Sequence, residues 1–72
     1  MLIKGQEEYC CIFDLSHVIL RVRAGSGGAW IDAGGHAVAK YASKERALEV
    51  MQELWETVTN HQDGTGYRLP EE

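Results

Sequence analysis

One segment limits the folds open to this chain more than any other: YASKERALEVMQELWETVTNHQ, residues 41–62. At about 100° per residue, Ala47, Leu48, Val50, Met51, Leu54, Trp55 and Val58 share one half of a helix circumference. Glu45, Glu49, Gln52, Glu53, Glu56 and Asn60 take the other half. Such a helix needs an apolar surface to cover, and the preceding residues read as short strands that would supply one. Ser43 offers an N-cap, although Arg46 stands where a capping box would place Glu or Gln.

The chain has 72 residues, enough for one domain near the lower limit for a self-sufficient core. Chains this short commonly need a staple. Cys10 and Cys11 are adjacent, so a bridge between them would be strained, and they are expected to be reduced thiols. His17, His36 and His61 lack metal-ligand spacing, so no metal or other cofactor is expected. Oligomerisation remains as the staple. No apolar run approaches the roughly 20 residues of a membrane span, and the N-terminus carries no signal-peptide pattern, so a cytoplasmic location is expected. The net charge of −4 argues against a binder of long nucleic acid.

Read in order, Leu2 to Lys4, Tyr9 to Phe13, Val18 to Ala24, Ala29 to Ala33 and His36 to Tyr41 are candidate strands. Gly25-Ser26-Gly27-Gly28 and Gly34-Gly35 are hairpin turns. The expectation is therefore α+β: an antiparallel sheet of four or five short strands with one long C-terminal helix packed on one face. A single domain spans 1–72, with strands in 2–41, the helix over 43–61 and an extended tail over 65–72. In a simple meander, Tyr9, Cys11, Phe13, Val18, Leu20, Val22, Ile31 and Val38 line the face beneath the helix. The other face carries Ile3, Cys10, Ile12, Ile19, Arg21, Arg23, Trp30, Asp32, Ala37 and Ala39. That second face is unusually apolar, which predicts a homo-oligomer interface through Ile3, Ile12, Ile19, Trp30, Ala37 and Ala39.

The same register sets Arg21 opposite Asp32 and Arg23 opposite Trp30. One reading is structural: a cross-strand ion pair and a cation–π stack. The other is a ligand site, in which Trp30 stacks a base and the arginines grip phosphate. Ser26 and Gly27 in the glycine loop would then close over the ligand, with His36, Lys40, Tyr67 and Arg68 completing the site, the last group from a neighbouring subunit. No catalytic residue stands out, because no acid–base pair or activated nucleophile is visible. The acidic helix face reads as a solvated surface or, alternatively, as a docking face for a protein target.

Tyr41, Ser43, Glu45, Arg46, Ala47, Val50 and Leu54 form the pattern Y-x-S-x-E-R-A-x-x-V-x-x-x-L. With the ending Tyr67-Arg68-Leu69-Pro70-Glu71, it resembles small uncharacterised proteins of phages and prophages of Gram-positive bacteria. Methionine is commoner in that group where this chain has Leu69. The resemblance covers about the last third of the chain and implies phage origin without naming an activity. Trp30 and the GSGG loop have no counterpart in it. It suggests an anti-defence role: non-enzymatic sequestration of a small nucleotide immune signal, of cyclic dinucleotide or cyclic ADP-ribose type. The alternative is a protein–protein inhibitor of a host defence or host-takeover target, acting through the acidic helix or the exposed sheet face.

Overall fold

A computed structural model describes residues 2–60 and 66–72. The described residues are α+β, with two small sheets of three strands each and one long helix. The strands are β1 (Leu2–Lys4), β2 (Ile12–Asp14), β3 (Leu20–Gly25), β4 (Gly28–Ala33), β5 (His36–Tyr41) and β6 (Tyr67–Arg68), with helix α1 (Lys44–Asn60) between β5 and β6. The large sheet is the meander β3-β4-β5; the small sheet has the order β2-β1-β6, its last pair parallel. The expected continuous meander therefore divides after β2. Glu7–Tyr9 forms a 3₁₀ turn that ends on Cys10 at φ 47, and Leu15–His17 forms another. Tyr9, Cys10 and Cys11 thus leave the second strand, and Val18 and Ile19 precede the third.

The two hairpins of the large sheet follow from their glycines. Gly34 and Gly35 both have positive φ, at 59 and 89, as a primed two-residue turn requires. That turn and the one at Ser26-Gly27 fix the register, with Arg21 opposite Asp32 and Arg23 opposite Trp30 as expected. The pairing of β4 with β5 holds a departure from the simple meander. Ile31 faces Ala39 but Asp32 faces Ala37, so Val38 is the extra residue of a β-bulge. Beyond the bulge the faces exchange. Ala39 and Tyr41 turn inward opposite Ile31 and Ala29, and Val38 and Ala39 are both buried.

Helix α1 packs across all three strands of the large sheet. It starts where expected, with Ser43 Oγ accepting the Arg46 N–H at 3.2 Å. His61, the last residue of the expected helix, lies outside the described residues, as does Thr65 of the expected tail. The buried stripe is Ala47, Val50 and Leu54, with Met51 and Val58 half-buried. Leu48 and Trp55, expected on that stripe, are 48% and 63% exposed. The sheet surface offered to the helix is only three strands wide, so the flanks of the apolar half reach past it.

Ile3 and Ala39 were expected on an open face for a second subunit, but both are fully buried within this chain's own core. Ile3 goes in because β1 sits against the core between β2 and β6, and Ala39 because of the bulge. Ile12 remains exposed on β2 and Ile19 in the connection before β3, and Ala37 is half-buried.

Gln6 joins the two sheets. It is the one buried polar residue among those described, and its side-chain amide works as a surrogate strand residue. Gln6 Oε1 accepts the Lys40 N–H at 2.7 Å, and Nε2 lies 3.1 Å from Lys40 O. The Gln6 backbone N–H donates to Val38 O at 2.9 Å. The same Nε2 reaches Pro70 O and Glu71 O at 2.9 and 3.1 Å, which holds the tail. Tyr41 donates its hydroxyl hydrogen to Pro70 O at 2.7 Å, and Leu69 N–H donates to Lys4 O. Gly5 permits the close approach: a Cβ there would stand 2.8 Å from Val38 O and 2.6 Å from Cys11 Sγ.

Candidate anion-binding site

The outer face of the large sheet, away from the helix, gathers most of the cations singled out in the sequence. Arg21 and Arg23 alternate along β3, Trp30 and Asp32 along β4, and Lys40 lies opposite Trp30 on β5. The Arg23 guanidinium lies 4.7 Å from the centre of the Trp30 ring, and Lys40 Nζ lies 5.4 Å from it. Trp30 is thus flanked by cations on both neighbouring strands. The ion pair, however, is diagonal. Arg23 donates to Asp32 from Nε at 3.0 Å and from Nη2 at 3.4 Å, whereas the register alone suggested Arg21 as the partner. The reason is reach: Arg23 can span both its direct neighbour Trp30 and the next outward residue, Asp32. That hydrogen bond holds the guanidinium still more firmly protonated.

Arg21 is left over. Among the described residues it makes no hydrogen bond or ion pair. Its side chain borders an open cleft of about 320 Å³, lined also by Ile19, Asp32, Gly34 and Gly35. Asp32 faces the same cleft, but its charge is offset by Arg23. The cleft therefore offers one uncommitted guanidinium beside a glycine turn, with a neutralised carboxylate on its wall. Its volume suits a small ligand or part of a larger one.

The remaining candidates separate. Ser26 and Gly27 cap the β3–β4 hairpin next to Trp30, while His36 starts β5 at the opposite end of β4. At strand rise those ends stand about 16 Å apart, so one small ligand would not bridge them. Tyr67 and Arg68 belong to the small sheet, beside Ile3 and Lys4. Arg68 borders a different cleft of about 300 Å³, with Leu2, Lys4, Ile12, Gly66 and Tyr67. Within one chain Arg23, Trp30 and Lys40 come together, with Arg21 one step along β3 and the Ser26-Gly27 turn at the Trp30 end, while His36, Tyr67 and Arg68 do not join them. Asp32 was read only as a structural partner; its position between the two arginines makes it the residue that decides which of them is free.

Two chemistry-bearing clusters escaped the sequence reading. Gln6 carried no motif at all. Arg46, puzzling at the third helical position, is explained by the tail: its Nε and Nη2 donate to Glu72 O at 3.1 and 2.8 Å, and Nη1 lies 3.3 Å from Glu49. The misfit to a capping box was the available signal. Among the described residues no group of His, Cys, Asp and Glu is placed to hold a metal ion, and no helix is long and apolar enough to cross a membrane. Comparison with protein-family models, with curated proteins and with solved structures found no match.

Proposed function

We propose that this chain is a non-enzymatic binding protein that captures a small nucleotide through the outer face of its large sheet. The observation that carries the reading is Arg21, without an ion pair or hydrogen bond among the described residues, on the wall of the 320 Å³ cleft, with the Arg23–Trp30–Lys40 stack farther along the same sheet face. A phosphate would take the Arg21 guanidinium in bidentate fashion. A base would share the Trp30 ring with Arg23 or replace it there, since the guanidinium already stacks on the indole. Sequestration of an immune signal during phage infection is the biological role this reading serves, and it rests on the resemblance of the helix start and tail. Assembly as a homo-oligomer would use the exposed Ile12 and Ile19 with half-buried Ala37, and would bring Tyr67 and Arg68 of one subunit near the site of another.

The test is a thermal-shift panel of cyclic dinucleotides, cyclic ADP-ribose isomers and linear controls. A ligand at 100 times its dissociation constant adds about 2.7 kcal/mol, several degrees for a domain this small. A selective shift lost in Arg21→Ala supports the reading. A flat panel from folded protein removes it.

A further inference from the structure

The large sheet has one edge open. Gly34 N–H donates to Ile19 O at 3.2 Å, and with the β3–β4 register this turns the backbone groups of Arg21, Arg23 and Gly25 toward β4. The N–H and C=O of Leu20, Val22 and Ala24 consequently face outward. Among the described residues no strand lies beyond β3 and no backbone bond reaches those three. Two further features flank this edge. On its outer side stand Arg21, unpaired among the described residues, and Arg23. On its helix side opens an apolar cleft of about 230 Å³, lined by Leu15, Leu20, Met51, Leu54, Trp55 and Val58.

We infer that the β3 edge takes an extended acidic segment of a partner protein as a fourth strand of the large sheet. An added strand would pair its backbone with Leu20, Val22 and Ala24. Its side chains would then alternate between the two sides. Carboxylates on the outer side would meet Arg21 and Arg23, and apolar groups on the other side would reach the cleft beside Leu20 and Trp55. The segment that fits alternates acidic and apolar residues.

A second copy of this chain fits the edge poorly. Consider the antiparallel self-pairings that engage at least two of the three outward residues on both copies. Centred on Val22, the pairing sets Arg21 against the other copy's Arg23; centred on Arg21 or on Arg23, it sets that arginine against itself. Like charges directly opposite on a sheet destabilise it, so the arginines guard the edge against self-association while favouring an acidic strand.

This inference goes beyond the nucleotide reading, although both use Arg21. The variant Ala24→Pro separates them. It removes one outward N–H without touching the ladder to β4, a position where an edge strand tolerates proline. The experiment titrates the full chain with a synthetic peptide alternating glutamate and leucine, and with a control carrying lysine for glutamate, while amide exchange is followed by NMR. The acidic peptide is expected to slow exchange at Leu20, Val22 and Ala24. Arg21→Glu should weaken its binding about tenfold or more, the loss of one charge-assisted contact, and should reverse the preference toward the lysine peptide. Ala24→Pro should weaken the peptide while leaving any nucleotide response unchanged. Equal binding of both peptides, protection elsewhere than on β3, binding indifferent to Ala24→Pro, or no binding of the acidic peptide would each overturn the assignment. A self-associated wild type with β3 already protected would overturn it in favour of a second copy.

Discussion

Along β5, the outward N–H and C=O of Lys40 meet the side-chain amide of Gln6, and Val38 O takes the Gln6 N–H. Along β3, the equivalent groups of Leu20, Val22 and Ala24 meet no backbone partner among the described residues. The two edges belong to one three-stranded sheet, yet one is sealed by a buried polar residue and the other is guarded only by charge. A sheet edge is a standing invitation to pair. The chain closes that invitation on the side where its own tail docks and leaves it on the side where Arg21 has no partner among the described residues. The sealed edge belongs to stability; the open edge is the surface to which the proposed binding is assigned.

The largest effect should come from breaking the seal. Gln6→Ala would leave Lys40 N–H, Lys40 O and the tail carbonyls without their amide, at a cost of about 3 kcal/mol in urea unfolding. If the loss is under about 0.5 kcal/mol, the seal contributes nothing measurable and the contrast between the edges fails.

Tyr41 tests the same edge by pH. Its burial pushes the phenol from 10.0 up to about 12. Below pH 10 the phenol is neutral in both folded and unfolded chains, and its contribution is intact. Between pH 10 and about 12 only the unfolded chain ionises, so stability falls as pH rises through that window, by on the order of 2 kcal/mol. Burial raises Tyr67 as well, which adds to the loss in the same direction. Unfolding measured at pH 9 and pH 11 should show the decline in wild type and a smaller one in Tyr41→Phe.

A smaller effect is expected of Arg46→Ala, which removes the hydrogen bonds to Glu72 O and the contact with Glu49. The cost should be about 1 kcal/mol and should shrink with added salt for its ion-pair part. Least of all should follow from Arg21→Ala, within about 0.5 kcal/mol of wild type, because no partner is left behind. A large loss of stability there would mean that Arg21 holds the sheet together, and the open edge would lose its claim as a binding surface.

The hairpins were legible because two short glycine turns fix a register locally, and that register put Arg21, Arg23, Trp30 and Asp32 on one face without any structure. The helix was legible from its periodicity and from Ser43. The division into two sheets was not, because it falls after β2 at the 3₁₀ turn Leu15–His17, where the residues show no glycine or proline. The bulge at Val38 was hidden for the same reason: an Ala-Val-Ala run fits either alternation, and only Gln6 on one side and the core on the other decide which. The tail clamp joins residues more than sixty positions apart, a distance at which no local pattern speaks. For the site, register supplied the neighbours, but the choice of Arg23 over Arg21 by Asp32 depended on side-chain reach.

Amide hydrogen exchange on the free protein tests the contrast between the edges most directly. The account predicts slow exchange at Lys40, whose N–H is taken by Gln6 Oε1, and at Arg23, which faces β4, with fast exchange at Val22 and Ala24. Protection of Val22 and Ala24 as strong as that of Arg23 would show the β3 edge already covered, and would contradict the account.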